Sequence, residues 1–186
     1  MVSARLRLAR ERVTLRLVYE ALSAKHAPGL FLALADPRVW EHIEGGSLPA
    51  TVAALAERFT RVASGAPAGR TGEQWVNYAV ALADEPGIPI GRIEATIHAA
   101  ADGCWAETAY LFNPAHWGHG FASEALTWLH AELEARGVHE LWVAIAPGNA
   151  RSLALARRLG YLPTRAEEVR PLASYDPGDV CLRRVI

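Results

Sequence analysis

The spacing of apolar residues changes period along this chain, and each change marks a new element. Val13-Thr14-Leu15-Arg16-Leu17 alternates well enough for a first strand. Ser23 to Ala35 reads as a helix, stopped by Asp36-Pro37, and Trp40-Glu41-His42-Ile43 leads into a loop at Gly45-Gly46. A second helix, about Thr51 to Ala63, sets Val52, Leu55, Phe59 and Val62 on one face, and the Gly/Pro-rich stretch Gly65 to Gly72 ends it. Three strands follow: Trp75 to Leu82, Ile88 to Ile97 and Trp105 to Phe112. The turn signals Asp84-Glu85-Pro86-Gly87 and Ala101-Asp102-Gly103 separate them, which predicts an antiparallel meander.

After Asn113-Pro114 the period becomes helical. Ala122, Leu126, Leu129 and Leu133 recur on one face, and Gly137 caps the end. Leu141-Trp142-Val143-Ala144-Ile145 is nearly all apolar, as in a parallel strand covered on both faces. Trp105 to Ile145 is therefore a strand–helix–strand unit with a right-handed crossover expected. Pro147-Gly148-Asn149 opens a short helix carrying Leu155 and Leu159 and closed by Gly160. Tyr161-Leu162 and Val180 to Ile186 supply the last strands.

Composition narrows the class. At 186 residues the whole chain, 1–186, is expected to form one domain with a substantial core. Hydrophobic residues make up 51% and charged residues 21%, which argues against disorder. A net charge of -1 offers no broad field for nucleic acid. No apolar run approaches a membrane span. The basic start (Arg5, Arg7, Arg10, Arg12) is interrupted by Glu11 and lacks a hydrophobic signal core, so the cytoplasm is the expected location. Cys104 and Cys181 fit no metal or redox spacing.

The chemistry concentrates at His116-Trp117-Gly118-His119-Gly120-Phe121-Ala122. Two glycines and an alanine leave room for main-chain N–H groups to close around a phosphate. The helix that follows points its positive end at the same place. The loop lacks the Gly-Lys-Ser/Thr of a nucleoside-triphosphate site, and it lacks the third glycine of a dinucleotide site. A plain tight turn between strand and helix is the competing explanation.

The loop together with Asn113-Pro114, Asn149-Ala150-Arg151-Ser152 and Leu159-Gly160-Tyr161 resembles the GNAT superfamily of N-acetyltransferases, most closely its Rim-type branch. The resemblance runs from Val13 to the last strand and is strongest from Ala106 to Tyr161. It implies a mixed α/β fold, with a twisted sheet of about six to seven strands flanked by about four helices. The implied order is β1-α1-α2-β2-β3-β4-α3-β5-α4-β6-β7. It further implies an acetyl-CoA-dependent transfer of an acetyl group to a primary amine, either a protein N-terminal α-amine or a small molecule. The amine would attack directly in a ternary complex. The main chain of Tyr110, Leu111 and Phe112 would pair with the pantetheine arm. The N–H groups of Trp117, Gly118, His119, Gly120, Phe121 and Ala122 would hold the pyrophosphate, with Asn149 and Ser152 touching the cofactor from the next helix.

The chain departs from the family pattern twice. Trp117 stands where many members carry Arg or Gln, as is common in the Rim-type branch. Ala156 stands where many place a tyrosine acid, which leaves Ser152 or water to protonate the departing thiolate. A thiol of pKa about 8.5 needs little help to leave.

The acceptor must be neutral to attack. At pH 7 deprotonation costs about 1 to 1.5 kcal/mol for an α-amine and about 4 to 5 kcal/mol for lysine. Glu107, on the strand before the loop, is the candidate base, directly or through water; pairing with an arginine is its other reading. The resemblance also implies that a main-chain N–H near Tyr110 to Phe112, freed by a bulge, would polarise the carbonyl. Trp40, Glu41, Trp75 and Tyr78 are acceptor-pocket candidates. His116 and His119 have no ligand partners in the loop, so no metal is expected. Monomer and homodimer both remain open. A non-catalytic acyl-CoA-binding module is the alternative from another functional class.

Overall fold

The computed structural model describes residues 14–186, so Val13 and the basic N-terminal run lie outside the described residues. Strand β1 is Leu17–Ala21, later than the sequence alternation suggested. A turn precedes it, in which the Thr14 N–H donates to the Leu17 carbonyl at 2.8 Å. The first expected helix is also shortened. Ala24–His26 form a 3-10 turn, and α1 is Ala27–Ala33. Pro28 explains the late start, because a residue without an N–H fits a helix only in its first turn.

Helix α2, Val52–Ala63, begins at Thr51, whose hydroxyl accepts from the Ala54 N–H at 3.1 Å. The meander follows as β2 (Glu73–Leu82), β3 (Pro89–Ala100) and β4 (Gly103–Phe112), each antiparallel to the next. Then come α3 (Phe121–Ala135), β5 (Val138–Ile145), α4 (Ala150–Arg158), β6 (Leu162–Pro163) and β7 (Val180–Val185). Seven strands form one sheet in the order β1-β2-β3-β4-β5-β7-β6, with β4 and β5 parallel as expected.

Each face of the sheet has its own core. Leu17, Tyr19, Val76, Tyr78, Val80, Ile93, Ala106 and Phe112 pack with α3 and α4 through Leu126, Trp128, Leu129, Leu133 and Leu155. Leu30 and Leu34 join Leu55 and Phe59 of α2 and Ala79 of β2 on the other face. Alternation along β4 therefore sends Ala106, Tyr110 and Phe112 toward α3 and α4, and Leu111 toward α1 and α2. That alternation decides which side chains can meet in the site.

Candidate active site

The parallel ladder between β4 and β5 is short. It joins Cys104 to Val138 and ends at Glu107 opposite Trp142. Beyond that pair the strands part: β4 stays paired with β3 as far as Phe112, and β5 stays paired with β7 as far as Ile145. The result is a fork whose two inner edges face each other without a ladder.

The main-chain directions on the β4 arm follow from one bond. Asn113 donates its N–H to Ile90 of the β3 side at 2.8 Å. Successive residues turn their main-chain groups to opposite edges, so Phe112 and Tyr110 face the fork. The Phe112 carbonyl is already engaged, accepting from the Trp117 indole N–H at 2.9 Å. Tyr110 therefore carries the main-chain N–H and C=O that a ligand in the fork would meet. No bulge interrupts the β3–β4 register at this point. Divergence from β5, rather than the expected bulge, is what frees the N–H.

A buried hydrogen-bond chain fixes the root of the fork. Arg184 donates to His130 Nδ1 at 2.8 Å, which leaves Nε2–H to donate to the Tyr161 hydroxyl at 3.0 Å. Tyr161 then donates to Thr108 Oγ1, and Thr108 to the Trp142 carbonyl, each at 3.3 Å. Burial and the charge of Arg184 push the His130 pKa down to about 3, so the ring is neutral and the chain runs in one direction.

At the open end stands the loop. Pro114–His116 form a 3-10 turn capped by the Asn113 side chain, which accepts from the Ala115 N–H at 3.0 Å. The Trp117 N–H is engaged by the Pro114 carbonyl at 3.2 Å, so the donors available to a ligand begin at Gly118, not at Trp117. Gly118 and Gly120 both lie at φ 82, the left-handed region that favours glycine. Gly120 is the N-cap of α3, and Phe121 and Ala122 belong to its first turn, whose N–H groups have no acceptor within the helix. No hydrogen bond to the N–H groups of Gly118 or His119 occurs among the described residues.

Arginines surround this loop. Arg16 donates to the His119 carbonyl at 2.9 Å, pairs with Glu124 of α3 at 2.7 Å, and lies over the Phe121 ring. Arg151 of α4 lies 4.7 Å and Arg38 5.8 Å from the Trp117 ring centroid. The Trp117 indole is thus flanked by guanidinium groups. On α4, the Asn149 side chain accepts from the Ser152 N–H at 3.1 Å. Ser152 lies beside Tyr110, whose buried hydroxyl makes no hydrogen bond of ordinary geometry among the described residues. Ala156 is buried.

Glu107 sits at the last rung before the fork, on the α1/α2 side. Among the described residues it pairs with no arginine. Its oxygens accept the main-chain N–H groups of Ala173 at 2.8 Å and Ser174 at 2.6 Å. The same connection between β6 and β7 is anchored again by Arg170, which bridges Asp102 at 2.6 Å and the buried Glu140 at 3.0 Å. Farther along, Asp176 accepts from the Glu44 N–H at 3.3 Å. The loop after α1 and the β6–β7 connection therefore meet over the Glu107 side of the sheet.

The acceptor candidates divide. Trp40 donates its indole N–H to the Leu34 carbonyl at 2.8 Å, and Glu41 is exposed nearby. Trp75 faces the α2 side. Tyr78 does not fit the expectation: it is buried against Trp128 of α3 and donates to Glu132, on the opposite face. Sequence reasoning missed Arg16, Arg151 and the 173–174 amides. Only the alternating charges Arg92 and Glu94, within a strand read as aliphatic, offered a readable sign of a polar α1/α2 face.

Among the described residues no group of three or more His, Cys, Asp or Glu side chains could hold a metal ion, and no helix could cross a membrane. Residues 16–162 match the acetyltransferase (GNAT) domain family. No curated protein sequence matches the chain. Solved structures of similar fold include an acetyltransferase from Salmonella typhimurium that modifies the N-terminal serine of a 50S ribosomal subunit protein (16% identity, 93% of this chain and 96% of that one, TM-score 0.71). A RimL ribosomal α-N-protein acetyltransferase in complex with coenzyme A aligns over 94% of this chain and 96% of its own at 18% identity, with TM-score 0.70. A microcin self-immunity acetyltransferase, in complex with acetyl-CoA and AMP, aligns over 93% and 94% at 14% identity, also with TM-score 0.70.

Proposed function

This chain belongs to the GNAT acetyltransferase family, and on that premise we propose that it is an acetyl-CoA-dependent N-acetyltransferase acting on a primary amine. The observation that carries the proposal is the β4–β5 fork, with the unengaged N–H groups of Gly118 to Ala122 at its mouth. An extended amide-bearing arm would satisfy the Tyr110 carbonyl, leaving its N–H for the thioester, and a pyrophosphate would satisfy the loop and the first turn of α3. Bound acetyl-CoA would supply the thioester that a neutral amine attacks directly. The acceptor is a protein N-terminal α-amine or a small-molecule amine; of these the α-amine, with a pKa about 8, loses its proton at lower cost than a lysine side chain.

In this reading Leu111 and Phe112 flank Tyr110 along the pantetheine, and Asn149 and Ser152 line it from α4. The Tyr110 N–H polarises the carbonyl oxygen as charge develops. Glu107 takes the amine proton through water, because each of its oxygens keeps a lone pair beyond the bond to the 173–174 main chain. Ser152, beside the buried Tyr110 hydroxyl, supplies the proton for the departing thiolate. Trp40, Glu41 and Trp75 border the acceptor.

Calorimetry with acetyl-CoA, followed by free-thiol release with a panel of amines and N-terminal peptides, tests the proposal. Micromolar binding with acceptor-dependent thiol release is expected. Binding without turnover would leave a non-catalytic acyl-CoA-binding module, and absence of binding would defeat both readings.

A further inference from the structure

The α1/α2 face of the sheet is polar beside the fork. Pairing across three strands sets Trp75, Thr96 and Glu107 in one row, Asn77, Glu94 and Ala109 in the next, and Ala79, Arg92 and Leu111 in the third. Paired residues share a face, so all nine side chains lie on the Glu107 side. At the strand spacing of about 4.8 Å, Trp75 is about 10 Å from Glu107. Next to Trp75, between the C-terminal half of α2 and the turn after it, opens a cavity of about 640 Å³ lined by Arg58, Arg61, Val62, Ser64, Pro67 and Trp75.

The charges around this cavity do not balance. Buried Arg92 is paired with Glu94, and Arg70 with Glu73, whose carboxylate also accepts from the Trp75 indole at 3.2 Å. Arg58 and Arg61 are left with no carboxylate within ion-pair distance among the described residues. Glu57, one helical turn before Arg61, does not reach it. Arg58 and Arg61 are both exposed, and partial burial of the Arg58 side chain with the like charges of Arg92 and Arg61 outweighs the attraction of Glu94, holding the Arg58 pKa below its usual value. Both mark a place where an anion would be welcome.

We propose that Arg58 and Arg61, beside Trp75, form an oxyanion subsite that selects amine acceptors bearing a carboxylate or phosphate group about 10 Å from the amine. Guanidinium forks match both groups bidentately. The subsite deepens the N-acetyltransferase reading and rests on it. The amine would lie toward Glu107 and the fork while its anionic end occupies the α2 cavity.

The test is isothermal titration of the coenzyme-A-loaded protein with matched ligands: n-alkylamines, ω-amino acids and ω-aminoalkyl phosphonates of increasing chain length. The acid-bearing ligands are expected to bind at least tenfold more tightly than the neutral amines at the matching length. The stronger arm identifies carboxylate or phosphate as the natural group. In the R58Q/R61Q double variant this preference should fall about tenfold, and R58K/R61K should recover part of it. Thermal melting checks that both variants fold. Equal affinity for acidic and neutral amines, or a preference untouched by R58Q/R61Q in folded protein, would overturn the subsite. Loss of coenzyme-A binding in the parent protein would instead count against the N-acetyltransferase reading itself.

Discussion

The Arg16 guanidinium donates to the His119 main-chain carbonyl at 2.9 Å while its other nitrogens hold Glu124. One side chain from just before β1 thus fixes both the loop and the first turn of α3. Turning the His119 carbonyl toward Arg16 leaves the neighbouring N–H groups free to face the mouth of the fork. Arg16→Gln should raise the KM for acetyl-CoA severalfold while changing kcat less. The side chain of Arg16 is 44% exposed, so the effect on stability should stay within about 1 kcal/mol. Steady-state kinetics with acetyl-CoA varied would check the split.

Gly120 and Gly118 share a left-handed conformation but differ in surroundings. A β-carbon on Gly120 would lie 3.5 Å from Arg16 Nη2, whereas one on Gly118 would meet nothing within 4 Å. Either Gly→Ala change forces a side chain into a conformation costing about 1–2 kcal/mol. Both variants should lose thermal stability or acetyl-CoA affinity, measured by melting and calorimetry, and Gly120→Ala should lose more. Gly120→Val, which would also set a branched side chain against the proposed phosphate site, should weaken binding further still.

Glu107→Gln replaces one acceptor oxygen by an NH2 group that opposes an N–H of the β6–β7 connection. Turnover should fall about 10²-fold, the contribution of a general base. Acetyl-CoA affinity should hold, because the carboxylate lies on the face opposite Ser152 and outside the loop. Hydrogen exchange at Ala173 and Ser174 should accelerate in the same variant. Normal turnover accompanied by faster exchange would reduce Glu107 to an anchor.

His130 predicts an acid limb of stability. Its folded pKa is about 3, against an ordinary value near 6.5, so the unfolded chain binds a proton that the folded chain refuses. Stability is complete above about pH 6.5 and falls as pH drops toward 3, by roughly 2 kcal/mol at pH 5 from this group. Urea unfolding at pH 7 and pH 5 measures the difference. His130→Gln should flatten it by about one proton.

Much of this architecture is written locally. The period-two and period-3.6 stretches place the meander, α2, α3 and β5, although β1 and α1 begin later than the pattern suggests, and Thr51, Gly120 and Gly137 mark helix ends in the sequence itself. Alternation alone separates Trp75 from Tyr78: residues three apart on one strand face opposite sides, a constraint that the grouping of both as acceptor candidates overlooks. Pro28 likewise carried the late start of α1. What local pattern does not carry is the set of long-range bonds. Arg16 meets His119 across 103 positions, and Glu107 meets Ala173 across 66. Such pairs depend on where irregular loops finally settle, and neither residue type nor spacing encodes that.

The central claim is that main-chain amides of the 118–122 loop and of Tyr110 receive coenzyme A in the fork between β4 and β5. Amide-resolved NMR titration with coenzyme A tests it most directly. The account predicts large shifts and slowed exchange at Gly118, His119, Gly120 and Tyr110 as the ligand saturates. Saturable binding that leaves those four amides unmoved would contradict it.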